Sequence, residues 1–222
     1  MIQTRLIPSP SKRHNGLRIL DLFSGLESVA KIARAHGHEV ITLDINPKFG
    51  ADLPMDILKF DPAIHLPPGW KPDIIWASPP CEGFSVAAFG HHWTGGKGAY
   101  IPRTEWAKTS ILILNRTVSL INEMKPARWY MENPRGMMRK MESTQDFGIR
   151  HTVTYCQYGD DRMKPTDIWT NDSDWAPRPK CKNGMPCHES APRGARSGTQ
   201  GMKNAAERST IPRELIEELL IQ

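Results

Sequence analysis

Between Leu17 and Asp44 the chain alternates in a way that few folds accommodate. Leu17-Arg18-Ile19-Leu20-Asp21-Leu22-Phe23 is a short apolar strand, and it runs into a tight turn at Ser24-Gly25. Leu26 to His36 follows with helical spacing: Val29, Ile32, Ala33 and Ala35 form its apolar side, and Gly37 ends it. Glu39-Val40-Ile41-Thr42-Leu43-Asp44 is a second strand, closing on an acid. Strand, glycine turn, helix, strand and terminal acid make up the first half of a doubly wound nucleotide-binding fold. The glycine lets backbone approach a ligand, and an acid about twenty residues further on accepts hydrogen bonds from a ribose diol. A full G-x-G-x-x-G is missing, so Asp21 and Asp44 read equally well as strand-end caps.

The 222 residues suit one domain with a small appendage, and 39% hydrophobic residues are enough for one core. A net charge of +5 permits nucleic-acid binding without establishing it. No stretch resembles a signal peptide and no apolar run is long enough to cross a bilayer. Four cysteines are too sparse for a disulfide scaffold, so the expectation is a cytoplasmic protein with reduced thiols.

The second informative stretch is Ser78-Pro79-Pro80-Cys81. Pro72-Asp73-Ile74-Ile75-Trp76-Ala77 ahead of it has strand character, so a buried strand delivers one cysteine into a loop stiffened by two prolines. Strand C-terminal ends are where ligands collect in open α/β sheets, and a thiol there can serve as a nucleophile. An arbitrary cysteine is more often a small buried filler. Upstream, Asp56-Ile57 is an acidic-apolar pair suited to lie beside a bound ring. Downstream, residues 86–103 carry Phe89, His91, His92, Trp93, Lys97 and Tyr100 among glycines, and read as a mobile loop offering contacts to a base or phosphate.

Thr104 caps a helix running to Met124, with Ile111, Leu114, Val118 and Ile121 at core spacing. Ala127 to Met131 is a strand ending at Glu132-Asn133-Pro134, and Arg135 to Glu142 reads as a short helix. Thr152–Cys156 and Thr166–Thr170 are further strands around a turn that carries Arg162 and Lys164. Residues 171–204 are rich in proline, glycine and cations, a composition suited to lie on an anionic polymer. Cys181, Cys187 and His188 raise the question of zinc. C-x5-C-H is not the spacing of a standard finger, and a fourth ligand has to come from a distant group such as Cys156, so no metal site is assigned. Ile211-Pro212 opens a last helix whose Leu215, Ile216, Leu219 and Leu220 pack back on the core.

Asp21-Leu22-Phe23-Ser24-Gly25, Ser78-Pro79-Pro80-Cys81-x-Gly83-Phe84-Ser85 and Glu132-Asn133-Pro134, in this order, resemble the C5-cytosine DNA methyltransferases, in a compact form like those of phages and prophages. The resemblance implies a Rossmann-like S-adenosylmethionine-dependent methyltransferase fold with a mostly parallel sheet and a small loop-rich recognition insert. It implies that Cys81 attacks C6 of a flipped cytosine in double-stranded DNA, that Glu132 meets ring N3 and the exocyclic amine, and that Arg162, and after it Lys164, steadies the electron-rich ring. For S-adenosylmethionine it implies Asp21, Phe23, Ser24, Gly25 and Leu26 beneath the methionine end, Asp44 and Ile45 at the ribose, Asp56 and Ile57 at the adenine, and Ser78 and Pro79 near the reacting centre. The chain departs from the family at Glu27-Ser28, where further glycines are usual, at Glu82 in place of glutamine, and at Lys164 in place of a second arginine.

The expected organisation is an arm at 1–16, a catalytic domain at 17–170, a basic recognition region at 171–204 and a returning helix at 205–222, acting as a monomer. Three alternatives stand beside this reading: a C5-cytosine enzyme acting on transfer RNA, a degenerate DNA-binding or partner subunit, and the same thiol chemistry with another donor. An exocyclic-amine methyltransferase fits Ser78-Pro79-Pro80 but needs neither Cys81 nor Glu132.

Overall fold

A computed structural model describes residues 16–95, 98–182, 184–189 and 204–221. The expected arm, apart from Gly16, and much of the expected recognition region, 190–203, lie outside the described residues. Nine strands and six helices follow in chain order among those described: β1 Arg18–Leu22, α1 Ser28–Ala35, β2 Glu39–Asp44, β3 Leu53–Pro54, α2 Pro62–His65, β4 Ile74–Ala77, α3 Phe89–His92, β5 Trp93–Thr94, β6 Ile101–Pro102, α4 Glu105–Met124, β7 Arg128–Pro134, β8 Ile149–Thr154, β9 Pro165–Thr170, α5 Ala205–Ser209 and α6 Arg213–Leu220. Seven strands form one sheet in the order β3-β2-β1-β4-β7-β9-β8, while β5 and β6 pair as a separate ribbon. From β3 to β7 neighbours are parallel; β9 runs antiparallel to both β7 and β8.

The strands alternate between two cores. Ile19, Ile74, Trp76, Tyr130 and Ile168 face α1 and α6, which contribute Val29, Ala30, Ala33, Leu215, Ile216, Leu219 and Leu220. Leu20, Leu22, Ile75, Ala77, Met131 and Trp169 face α4, which supplies Ala107, Leu114, Leu120 and Ile121. This period of two on strands buried on both faces gives a helix–sheet–helix sandwich. Each fully buried leucine or isoleucine of α6 stabilises it by about 1.5–3 kcal/mol.

Several elements differ from their sequence signals. The first helix starts at Ser28, not Leu26, because Gly25 and Glu27 both take left-handed backbone (φ 50° and 58°) and use those residues up in the turn. β7 continues through Glu132 to Pro134, because β9 pairs it as far as Pro134 opposite Thr166. Residues 86–103 contain α3 and the β5–β6 ribbon, Gly96 and Lys97 lying outside the described residues. Within them Trp93, expected as a base contact, is 2% exposed, and its indole Nε1 donates to the Gly83 carbonyl (2.7 Å). Of 135–142, Met137–Lys140 form a 3-10 turn and Glu142 opens a second one, Glu142–Thr144, in place of one helix. Cys156 falls after β8, in the turn Tyr155–Tyr158. Pro212 precedes the last helix as its cap, and that helix's apolar side packs as expected. Ile111 and Val118 of α4 only border the core. No helix among the described residues is long and apolar enough to cross a membrane.

Candidate active site

β1 lies between β2 and β4 with Leu22 opposite both Leu43 and Ala77, and Met131 of β7 is opposite Ala77 in turn. The C-terminal ends of β1, β2 and β4 therefore come level, and β7 runs on past them to Pro134. Between β1 and β4 the strand order reverses, which is where open α/β sheets form their ligand crevice. The stretches Asp21–Gly25, Ser78–Cys81 and Glu132–Pro134 all lie at that edge.

Backbone and side-chain bonds hold Ser78 to Cys81 in place. Ser78 N donates to Leu22 O (3.1 Å), and the Trp76 indole donates to Ser78 Oγ (2.9 Å). Asn133 Nδ2 donates to the Pro79 carbonyl (2.8 Å) in the buried interior, tying the proline loop to β7. Cys81 then begins a 3-10 turn, Phe84 N donating to its carbonyl (3.0 Å). That turn is seated by two glycines: a Cβ at Gly83 would lie 2.2 Å from Ser110 Oγ on α4, and one at Gly136 would lie 2.4 Å from the Phe84 carbonyl.

Glu132 is 5% exposed, inside β7 rather than after it. Its Oε1 accepts from the Tyr155 hydroxyl (2.9 Å) and lies 4.0 Å from Lys164 Nζ. Lys164 Nζ also donates to the Arg208 carbonyl (3.0 Å) and sits 4.5 Å over the Tyr155 ring. Burial, and then the charge of Glu132, push the half-buried Cys81 thiol up, while Lys164 pulls it down. Burial lowers Lys164, with Glu132 and Cys81 opposing the shift. Burial and Glu132 raise the Tyr155 phenol well above its ordinary value. Cys81, Glu132 and Lys164 thus form one electrostatic unit.

Arg162, ranked ahead of Lys164 from the sequence, is turned elsewhere. Its guanidinium grips Asp160 (Nε to Oδ1, 2.7 Å, and Nη2 to Oδ2) and donates to the carbonyls of Glu207, Arg208 and Thr210. It fastens the C-terminal segment, and Lys164 is the cation beside Glu132. Tyr155 was missed as a site residue because its role depends on β8 and β7 being two strands apart, with β9 between them.

At the β1 end, Phe23 has left-handed backbone (φ 64°) and its amide, with that of Ser24, donates to Leu43 O. Asp44 receives Gly25 N on Oδ2 (2.9 Å) and Asn46 N on Oδ1 (2.8 Å), so it builds the turn. Asp21 Oδ2 and Ser24 Oγ are buried with no partner among the described residues. Burial pushes the Asp21 carboxyl up to about 8, against smaller lowering effects from Arg34 and the Ala30 backbone. Leu26 and Ile45 are exposed large apolar residues, Ile45 at 67%. Asp56 Oδ1 caps Leu58 N (3.0 Å), but Ile57, expected at a ring, has its side chain in the core at 3% exposure.

No protein-family model matches the chain. A protein of Frog virus 3 (isolate Goorha), described as a probable DNA (cytosine-5)-methyltransferase, is 30% identical over 217 residues, covering 92% of this chain and 99% of its own length. The chain belongs to the DNA (cytosine-5)-methyltransferase family. A prophage-encoded E. coli protein, whose crystal structure is described as that of a DNA modification methyltransferase, shares the fold at a TM-score of 0.53 and 19% identity, covering 70% of this chain and 46% of its own.

For a cytosine-5 methyltransferase, the β1 end fits the methyl donor of the family. Two buried polar atoms there lack partners among the described residues, the Asp44 oxygens keep lone pairs beyond their single amide bonds, and an exposed Ile45 follows Asp44.

Proposed function

We propose that this methyltransferase transfers a methyl group from S-adenosylmethionine to carbon 5 of cytosine in double-stranded DNA, with Cys81 adding covalently to C6 of a base turned out of the duplex. The observation that carries the proposal is the joint placement of Cys81, Glu132 and Lys164 on the sheet edge that also carries the Asp21–Leu26 turn. Asp21, Ser24, Gly25 and Asp44 would hold the donor, with Ile45 against its apolar face. S-adenosylmethionine supplies an electrophilic methyl group.

Carbon 5 of cytosine is too weak a nucleophile for that methyl, so the chain's residues must raise its electron density. In the resting fold the Cys81 thiol keeps its proton, held up by burial and by the negative charge of Glu132. A cytosine whose N3 and exocyclic amine engage Glu132 neutralises that charge, and Lys164 then favours the thiolate. As the sulfur–C6 bond forms, the thiol proton passes to the Glu132 carboxylate and from it to N3, while the C5–C6 π pair moves onto C5 and the ring. After alkylation the C5 proton leaves to a solvent base, the C5–H pair becomes the new C5–C6 π bond, sulfur departs with the S–C6 pair as thiolate, and N3 returns its proton to Glu132. Tyr155 positions the Glu132 carboxylate throughout, and Asn133 positions the loop that carries the sulfur.

Duplex DNA carrying 5-fluorocytosine tests the proposal, because a C5 fluorine cannot leave as a cation. With S-adenosylmethionine present, a denaturation-resistant protein–DNA adduct is expected for the wild type and not for Cys81→Ala. An adduct on RNA alone would move the substrate to RNA, and none on either polymer would overturn the covalent mechanism.

A further inference from the structure

Outside the catalytic centre three cysteines and a histidine converge from two distant parts of the chain. Cys156 is buried in the turn after β8, while Cys181, Cys187 and His188 lie in the basic segment that follows β9. Cys187 Sγ is 3.2 Å from Cys181 Sγ and 3.8 Å from Cys156 Sγ. His188 Nδ1 is 3.5 Å from Cys181 Sγ and 3.7 Å from Cys187 Sγ, and all four ligand atoms lie within 4.8 Å of one another.

We propose that Cys156, Cys181, Cys187 and His188 form a tetrahedral structural zinc site that fastens the basic segment after β9 to the β8–β9 hairpin. Zinc binds thiolate sulfur at about 2.3 Å and imidazole nitrogen at about 2.0–2.1 Å, so a tetrahedron has edges of roughly 3.8 Å between sulfurs and 3.5 Å from sulfur to nitrogen. Three of the four distances given above lie within a few tenths of an ångström of these values. The 3.2 Å sulfur pair is too long for a disulfide, whose bond is about 2.05 Å. Three sulfurs and one imidazole close the coordination sphere, which is the donor set of a structural rather than a catalytic zinc. The His188 ring also needs an anchor: its Nε2 is buried without a partner among the described residues, while Nδ1 faces the sulfurs.

The backbone on both sides of the cluster is already docked. Cys181 N donates to Thr154 Oγ1 at the end of β8 (2.9 Å), and Glu189 N donates to Asp161 O in the hairpin turn (2.9 Å). Between these anchors residues 182–187 bury no apolar side chain among those described, and Met185 is 51% exposed. A metal supplies the cross-link that a hydrophobic core would otherwise provide. Cys156 directly follows Tyr155, which holds Glu132, so the same ion would couple the basic segment to the catalytic edge. The proposal is independent of the reaction: the ion is held whichever polymer the protein acts on.

The test is the metal content of the full chain purified from zinc-supplemented cells. One zinc per chain is expected in the wild type and in Cys81→Ala, and none in Cys187→Ser or His188→Ala. Cys187 is exposed and His188 half-buried, and neither belongs to the hydrophobic core, so far-UV circular dichroism of those variants should match the wild type. Cobalt(II) added to the metal-free chain should give the charge-transfer and visible bands of tetrahedral thiolate coordination, abolished in Cys187→Ser. Chelation should speed proteolytic cleavage within 177–189. A purified chain that takes up neither zinc nor cobalt with all four thiols titratable overturns the site. A mass two hydrogens short, mapping to a Cys181–Cys187 disulfide in place of metal, overturns it as well.

Discussion

Cys81 is held in its unreactive form by burial and, after it, by the carboxylate it works with. Glu132 raises the thiol and Lys164 lowers it, so substitutions at these two positions act on Cys81 in opposite directions. Glu132→Gln should make the resting thiol react faster with iodoacetamide at neutral pH, while methyl transfer falls about 10²- to 10⁴-fold. Lys164→Met should slow alkylation. If Glu132→Gln leaves the alkylation rate unchanged, the coupling between the two side chains is absent. Glu27 is informative in another way. It occupies a left-handed backbone position (φ 58°) where glycine is the unstrained choice, and its carboxylate is held by Arg34 (3.2 Å). The departure from the family's glycines is therefore accommodated by the turn, with an ion pair fixing the residue that replaces them.

The turn after Cys81 is an element with no stability of its own. It is three residues of 3-10 helix pressed between α4 and the chain after β7. A methyl group at Gly83 meets Ser110 Oγ and Cβ; Oγ can rotate, but Cβ is fixed by the α4 backbone and cannot swing away. Gly83→Ala should cost about 1–3 kcal/mol in urea denaturation. It should also reduce kcat, since the nucleophile moves with the turn. Combining it with Ser110→Gly should recover part of the loss, seen as a favourable coupling in a double-mutant cycle of about 1 kcal/mol or more. Strict additivity of the two would show that the turn does not lean on Ser110. The C-terminal segment is the other dependent element. Its carbonyls at Glu207, Arg208 and Thr210 take up Arg162, and the Arg208 carbonyl also receives Lys164.

The stability of the whole molecule carries the signature of Asp21. An ordinary aspartate ionises near 3.8, whereas burial holds this one protonated up to about 8. Between those values the unfolded chain has lost a proton that the folded chain keeps, so folding binds a proton and stability falls as pH rises. The decline runs through that window and levels above about 8. At about 1.36 kcal/mol per pKa unit its ceiling is on the order of 5 kcal/mol. Urea denaturation across this range should show the decline in the wild type and a flatter profile in Asp21→Asn; parallel profiles would rule the group out. A cationic ligand seated against Asp21 should restore stability at high pH.

Local pattern was sufficient wherever an element is defined by its own periodicity. The strands at 18–22, 39–44 and 74–77, the capped helix ending at Met124 and the apolar face of the last helix all follow from which side chains must leave water. That Cys81 and Glu132 are each delivered by a buried strand next to a proline-marked turn was also legible. Tertiary structure alone decided which groups meet. Lys164 rather than Arg162 stands beside Glu132, because the returning C-terminal segment captures the guanidinium. Trp93 went to the core and not to a substrate, since the Gly83 carbonyl needed a buried donor. Tyr155 reached Glu132, and Cys156 joined three ligand atoms about thirty residues away, only once β9 had paired between β7 and β8. Periodicity records what a residue does with respect to water; it holds no information about which distant side chain closes a hydrogen bond, an ion pair or a coordination sphere.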